Sequence, residues 1–414
     1  MNNVIIIGGG PAGMMAALFA LRGGAKVALL EKNEKLGKKL YITGKGRCNM
    51  TNECDINTFL EHVPRNGKFM YSAINFLGPK KLRELFEYLG CPTVLQRGSR
   101  VYPESEKASD VTRALSRGIE KADIVLNTEV KSIAVDNGTV KGVEIAGGDF
   151  LPCDALIIAT GGLSYPSTGS TGDGYTFAKS AGIDTLKAFP SLVPLNLDDE
   201  WIKSLSGLTL KQVGITAYKN GRQIYFRQGE LLFTHFGISG PIAISLSSQI
   251  AEEDPKEISL ELDMKPALSE ETIIRRLDRE CDENGSLMLK TNIKGYLPQN
   301  MAEPFLKLAG IEPEKKLAHL SNEERKIIAN KMKHIPMHFN SLRSFSEAIV
   351  TRGGVCTDEI NPKTMQAKKI SGIYFAGEVL DVDGLTGGFN LQIAFSTGAL
   401  AGKSAAEFVL EGNK

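Results

Sequence analysis

Apolar positions along this chain recur with three different periods. Continuous apolar runs at 4–7, 26–30, 124–126, 155–159 and 373–376 have no polar face, so they predict short strands covered on both sides, as in a parallel sheet. Alternating runs predict strands with one wet face. They occur at 94–102, at 129–133 and 140–145 around the turn pair Asn137-Gly138, at 212–218 and 223–226 around Asn220-Gly221, at 258–264, and at 343–350. Helical periodicity appears at 14–21, across 59–90 with Pro79 opening a last amphipathic section, at 108–122, over most of 268–332, and at 391–410. Ser269 is an expected N-cap, and Ser321 with Glu324 an expected capping box.

The order of these elements predicts an α/β fold in three parts. Residues 1–189 read as a nucleotide-binding domain to which 351–414 return. Residues 190–267 with 333–350 read as an inserted antiparallel β domain, and 268–332 as a small helical subdomain. A chain of 414 residues is long enough for about two or three such domains.

The junction between the first strand and first helix carries the chemistry. Gly8-Gly9-Gly10-Pro11-Ala12-Gly13 follows the run 4–7 and precedes an alanine-rich helix. In a dinucleotide fingerprint Gly8 makes the tight turn, Gly10 lets backbone approach a pyrophosphate, and Gly13 allows helix and strand to pack closely. The helix N-terminus supplies free N–H groups and the positive end of a dipole. Glu31 closes the second strand, where an acid accepts from a ribose 2′-OH; this argues for FAD or NAD over a 2′-phosphorylated cofactor. The loop 32–52 concentrates Lys32, Lys38, Lys39, Lys45, Arg47, Cys48 and Asn49, suited to approach a dinucleotide's phosphates and reactive ring. Thr160-Gly161-Gly162 and Gly377-Glu378 end two later strands, where glycine lets the chain pass close to a ligand.

Composition narrows the partners. With 42% hydrophobic and 23% charged residues and a net charge of +1, the chain reads as an ordinary soluble protein with a small-molecule substrate, and neither nucleic acid nor a membrane is expected as main partner. The apolar N-terminus lacks a basic leader and is broken by glycines, so no targeting peptide is expected. Six cysteines without CxxC or CxxH spacing predict no disulfide framework and no metal site, and a cytoplasmic location.

At these residues the sequence resembles the YhiN/BaiN-type FAD-binding flavoproteins, a family of NAD(P)/FAD-dependent oxidoreductases. The likeness runs along the chain: the fingerprint at 8–13, Thr43-Gly44-Lys45-Gly46-Arg47-Cys48-Asn49-Met50-Thr51-Asn52, Leu232-Phe233-Thr234-His235-Phe236-Gly237-Ile238-Ser239-Gly240-Pro241, and residues 374–392. It implies FAD, a glutathione-reductase-like Rossmann domain, and an inserted antiparallel β-barrel-like domain with a helical subdomain. It further implies that Glu31 holds the adenosine ribose, that Val130 lies near the adenine, and that Gly377-Glu378 and Asn390-Leu391 line the ribityl and flavin end. Gly387-Gly388 would then open the last helix toward the flavin. Family activities include reduction of a steroid-ring C=C in dehydro-bile acids and oxidation of aminoacetone.

The expected activity is therefore an FAD-dependent reductase. Hydride passes from a transiently docked NAD(P)H to a C=C of an apolar substrate. An amine oxidase and a non-catalytic redox sensor or RNA-associated flavoprotein are the alternatives. Catalytic groups are harder to assign. Cys48 and Cys54 have five residues between them, one more than in flavin disulfide reductases, so Cys48 reads first as a structural or flavin-contact residue. His235 among Phe233 and Phe236 reads first as a packed core histidine and second as a general acid. Arg352 reads equally as a counter-charge for flavin or substrate and as a solvated cation, and Tyr165 as an ordinary loop tyrosine.

Overall fold

The computed structural model describes residues 3–411; residues 1–2 and 412–414, the outermost positions of the expected nucleotide-binding domain, lie outside the described residues. The chain divides into two compact units, Met1–Ser191 with Phe345–Lys414, and Leu192–Ser344.

The first unit is built on five parallel strands: β1 (Asn3–Ile7), β2 (Lys26–Leu30), β3 (Asp123–Val125), β4 (Ala155–Ile158) and β5 (Ile373–Phe375), in the order β5-β4-β1-β2-β3. Four of the strands lacking a polar face are buried, with Val4, Ile6, Leu29, Ile157 and Phe375 fully so, but β3 is an edge strand whose Ile124 and Val125 are only half-buried, against the expectation for 124–126. Helix α1 (Pro11–Arg22) follows β1, and the long helix α2 (Phe389–Glu411) closes the chain against it. Their packing depends on glycine. A Cβ on Gly398 would stand 2.3 Å from the carbonyl oxygen of Ala12, and one on Gly402 would stand 2.1 Å from that of Ala16. Any larger residue would push the two backbones apart.

Local chemistry explains where the sequence pattern misleads. The helical stretch 59–90 is three helices, Ile56–Glu61, Tyr71–Phe76 and Pro79–Tyr88. Asn66 at φ +54° interrupts the first connection, and Gly78 before Pro79 interrupts the second, because the residue before proline is pushed out of the helical region. The strand-like stretch 94–102 is a hairpin of Thr93–Gln96 and Arg100–Pro103, reversed at Gly98 (φ +76°) and Ser99 (φ +57°). Strand Val350–Val355 pairs antiparallel with Thr185–Ser191, which places residues 345–350 in the first unit. The alternation at 343–350 had grouped them with the inserted β segment.

The second unit carries a seven-stranded antiparallel sheet. Its order is Ile335–Met337, Ile258–Asp263, Thr209–Lys219, Arg222–Thr234, Gly237–Ser239, Leu195–Leu197, Phe339–Leu342. Its two edge strands are separated in sequence by His338 alone, so the sheet curls until its edges come within one residue of each other. Helices Glu270–Asn284, Ala302–Leu308 and Asn322–Lys333 do not build a core of their own. Ile273, Leu277, Phe305 and Ile328 join the sheet's cluster around Leu210, Ile215 and Leu262. Ser269 accepts from the Thr272 amide, and Ser321 with Glu324 forms the reciprocal capping box.

Candidate functional site

A cleft of about 1260 Å³, counted to its open mouth, lies in the first unit along the carboxyl ends of β1, β2 and β4. That is where a doubly wound sheet binds its ligand.

The fingerprint supplies one end. Gly8 sits at φ +105° with its Cα against the chain after β4; a Cβ there would stand 2.5 Å from the Ala159 carbonyl oxygen. A Cβ on Gly13 would stand 1.8 Å from the Gly8 oxygen, so Gly13 serves packing and does not line the cleft. At Gly10 a Cβ would meet nothing within 4 Å, the open approach a pyrophosphate needs. Helix α1 begins at Pro11 with no side-chain cap and no acid in its first turn. Its free N–H groups and dipole therefore face an anion seat.

Glu31 is 8% exposed, and its carboxylate is partly used inside the protein. Oε2 accepts from the Gly9 amide at 2.7 Å, while Oε1 accepts from the Asn33 amide at 2.8 Å and from Asn33 Nδ2 at 2.6 Å. Two carboxylate oxygens offer about four acceptor sites, so capacity remains for ribose.

Three lysines of the loop behave alike, while Lys45 is exposed and does not line the cleft. Lys32, Lys38 and Lys39 all line the cleft, and each is already beside an acid. Lys32 Nζ lies 2.6 Å from Asp173, Lys38 Nζ lies 3.2 Å from Glu34, and Lys39 Nζ lies 2.6 Å from Glu378 Oε2. Lys39 also donates to Ser164 Oγ at 2.5 Å. Glu378 Oε1 accepts from Ser164 Oγ and from the Thr351 amide at 2.9 Å. Both Glu378 oxygens are therefore occupied by protein donors, although the residue lines the cleft.

Of the residues singled out from sequence, Gly8, Gly10, Pro11, Ala12, Glu31, Lys32, Lys38, Lys39, Val130, Thr160, Gly161, Glu378, Asn390 and Leu391 line the cleft. Six others do not. Besides Gly13, Gly377 packs so closely that a Cβ would stand 2.7 Å from that of Ala12, and one on Gly388 would stand 2.5 Å from the Thr51 carbonyl carbon. Arg47 is turned toward the hairpin, where it pairs with Glu106, donates to Gln96 at 2.7 Å and covers the Tyr102 ring at 4.4 Å. The Asn49 side-chain oxygen is buried near Gly388. Cys48 is fully buried, and burial, with Cys91 nearby, pushes its thiol well above the usual range. A thiolate there is strongly disfavoured.

His235 corrects an expectation: it is exposed, at the turn between strands Arg222–Thr234 and Gly237–Ser239, with its ring edge-on to Phe236 at 5.0 Å. The glycine at 237 lets the chain reverse there, carrying the imidazole off the core. Arg352 is half-buried opposite Phe189 and does not line the cleft, nor does Tyr165, whose amide donates to Phe345 at 2.9 Å. Sequence reasoning passed over Asn33, Thr128, Asp173, Ile349, Val350 and Val382, all cleft-lining. Only Asn33 carried a usable signal, as a polar residue two positions after the strand-end acid.

This set of groups fits a flavin dinucleotide. An open glycine cradle, an uncapped helix end and an acid after β2 suit adenosine and pyrophosphate. The aliphatic wall of Ile349, Val350, Val382 and Leu391 suits a large flat ring.

The HI0933-like protein Rossmann domain family matches residues 2–404. The 3-dehydro-bile acid delta(4,6)-reductase of Clostridium scindens is 32% identical over 98% of this chain and 100% of its own length. The ribosomal RNA dihydrouridine synthase of Escherichia coli is 32% identical over 95% of this chain and 96% of its own length. Among solved structures, a flavocytochrome c3 fumarate reductase superposes with TM-score 0.52 at 17% identity, covering 99% of this chain and 78% of that one. The 3-ketosteroid delta1-dehydrogenase of Sterolibacterium denitrificans gives 0.51 at 13% identity, covering 98% and 100%. Both share the fold. Among the described residues no helix is long and apolar enough to cross a membrane. The chain belongs to the HI0933-like Rossmann family and is an FAD-dependent oxidoreductase.

Proposed function

We propose that this protein reduces a carbon–carbon double bond conjugated to a carbonyl, in an apolar ring substrate of the dehydro-bile acid or steroid-enone class, with NAD(P)H as a transient electron donor. One observation carries this reading. Two relatives with different substrates, each 32% identical to the chain, are named for the same kind of step. A delta(4,6)-reductase saturates ring double bonds next to a 3-keto group, and dihydrouridine is uridine with its ring C=C saturated. Bound FAD supplies hydride transfer between donor and substrate.

The chain's own residues make the surroundings. The uncapped end of α1 and Gly10 seat the cofactor's phosphates, and Glu31 with Asn33 orients its ribose. Val382, Leu391, Ile349 and Val350 exclude water from the ring end. Excluding water strengthens every electrostatic interaction made with a developing enolate.

A second reading, reduction of uridine in ribosomal RNA, is favoured by the synthases of Escherichia coli and Haemophilus influenzae, 32% and 33% identical. The net charge of +1 weighs against it, since RNA affinity comes largely from neutralised phosphates. Incubating the protein and NADH or NADPH with a 3-oxo-4,6-diene steroid or with transcribed ribosomal RNA separates the two by product mass. A steroid gaining two hydrogens supports the proposal, and saturated uridine alone overturns the substrate class. Turnover of amines alone overturns the reductase reading.

A further inference from the structure

The last stretch of the cleft is formed by the segment 381–391, from which Val382, Asn390 and Leu391 face the cavity. This segment is held from behind by residues 62–66, which connect helix Ile56–Glu61 to the turn at 67–70 and have no place in the fingerprint. We propose that Arg65 and Asn66 are positioning residues for the flavin half of FAD, acting through Asp381.

Five contacts between the two segments support this. Arg65 Nε donates to Asp381 Oδ1 at 2.5 Å; Asp381 is 1% exposed and Arg65 half-buried, so the carboxylate side of the ion pair is buried. Asn66 Nδ2 donates to Asp381 Oδ2 at 2.9 Å and to the Asp381 carbonyl oxygen at 2.7 Å. The Leu385 amide donates to the His62 carbonyl at 2.8 Å. The His62 imidazole, with Nδ1 on the Thr58 carbonyl at 2.8 Å, stacks on Phe389 at 4.5 Å and 12°.

The arrangement has a direct consequence for the cleft. Asp381 and Asp383 both turn inward, each 1% exposed, and Asp383 accepts from Ser191 Oγ at 3.0 Å. With its two neighbours pinned, Val382 is left on the cavity side. Asn390 braces the same loop, accepting from the Gly384 amide at 2.8 Å and donating to the Gly384 carbonyl at 2.6 Å. The adenosine half rests on the fingerprint and Glu31, none of which touches residues 62–66 in these contacts. Loosening the clamp should therefore be felt at one end of the cofactor only. Removing Arg65 leaves the buried Asp381 carboxylate with Asn66 as donor and no cation, a costly state.

Titration calorimetry with ADP and with FAD on apoprotein tests this. Arg65→Met is expected to weaken FAD about tenfold while leaving ADP within about twofold, and to shift the midpoint potential of the retained flavin. Asn66→Ala should move FAD affinity the same way by less. Arg83→Met, which breaks the ion pair with Glu53 outside the cleft, should change neither. Parallel losses of ADP and FAD, or unchanged FAD, would overturn the proposal. If Arg65→Met does not fold, the FAD to ADP ratio for Asn66→Ala decides by the same criterion.

Discussion

The two ends of the cleft are built by opposite strategies. The end proposed for adenosine comes from one local unit, β1, the glycine turn, α1 and β2, whose residues lie within about thirty positions of one another. The end proposed for the ring is assembled from the loop at 39–43, Ile349 with the start of strand Val350–Val355, and the return at 378–391, tied by contacts such as Lys39 to Glu378 and Arg65 to Asp381. Local backbone geometry holds a ligand wherever the motif occurs. A wall assembled over long range must be held by buried polar ties, and these are paid for in desolvation.

Perturbing each end separately tests that contrast. The largest effect is expected from Gly13→Val. With a Cβ 1.8 Å from the Gly8 oxygen, the turn cannot keep its shape, and ADP and FAD affinity should fall together by about a hundredfold, or roughly 2.7 kcal/mol. Glu31→Gln keeps the packing but loses an ionised acceptor for the Gly9 amide at 2.7 Å. Both ligands should weaken about tenfold in the same titrations.

Lys39→Met belongs to the other end. It leaves Glu378 with the Ser164 and Thr351 donors alone, so thermal unfolding of the apoprotein should show a loss of about 1–2 kcal/mol. FAD should weaken more than ADP. A fall in ADP equal to that in FAD would place Lys39 with the fingerprint end.

At neutral pH the smallest effect is that of Cys91, which appears only under alkaline conditions. Burial, and Asp110 nearby, push the Cys91 thiol up to about 11 from its ordinary value of 9.0. Because the folded-state value is raised, the folded protein holds the proton that the unfolded chain releases. The corresponding stability is complete below about pH 9 and is lost as pH climbs toward 11, at about 1 kcal/mol per pH unit. Denaturant melts of wild type and Cys91→Ala should converge across that window; a constant gap would contradict the shift.

The contrast also explains what was legible in the sequence. Gly8, Gly10, Gly13 and Glu31 could be assigned because their roles follow from spacing within one βαβ unit. The parallel strands were legible because burial on both faces removes polar positions altogether. Arg65, Asn66 and Asp381 were not, because an ion pair between residues so far apart leaves no periodic trace, and 62–66 was hidden inside an apparently helical stretch. Arg47 was misleading for a related reason: cations in a glycine-rich loop suit phosphate equally well whether or not Glu106 and Tyr102 wait nearby. His235 was read inward from its aromatic neighbours, yet the turn at Gly237 sets its direction. The second unit showed its hairpin at Asn220-Gly221, while the sharing of one core by sheet and helices depended on contacts that no single stretch encodes.

The reductase reading is tested most directly by following the flavin's visible absorbance under anaerobic conditions. NADH or NADPH should bleach it, and a 3-oxo-4,6-diene steroid added afterwards should restore it, one turnover for each enone reduced. A flavin that no nicotinamide bleaches, or that an amine bleaches and only oxygen restores, would contradict the account.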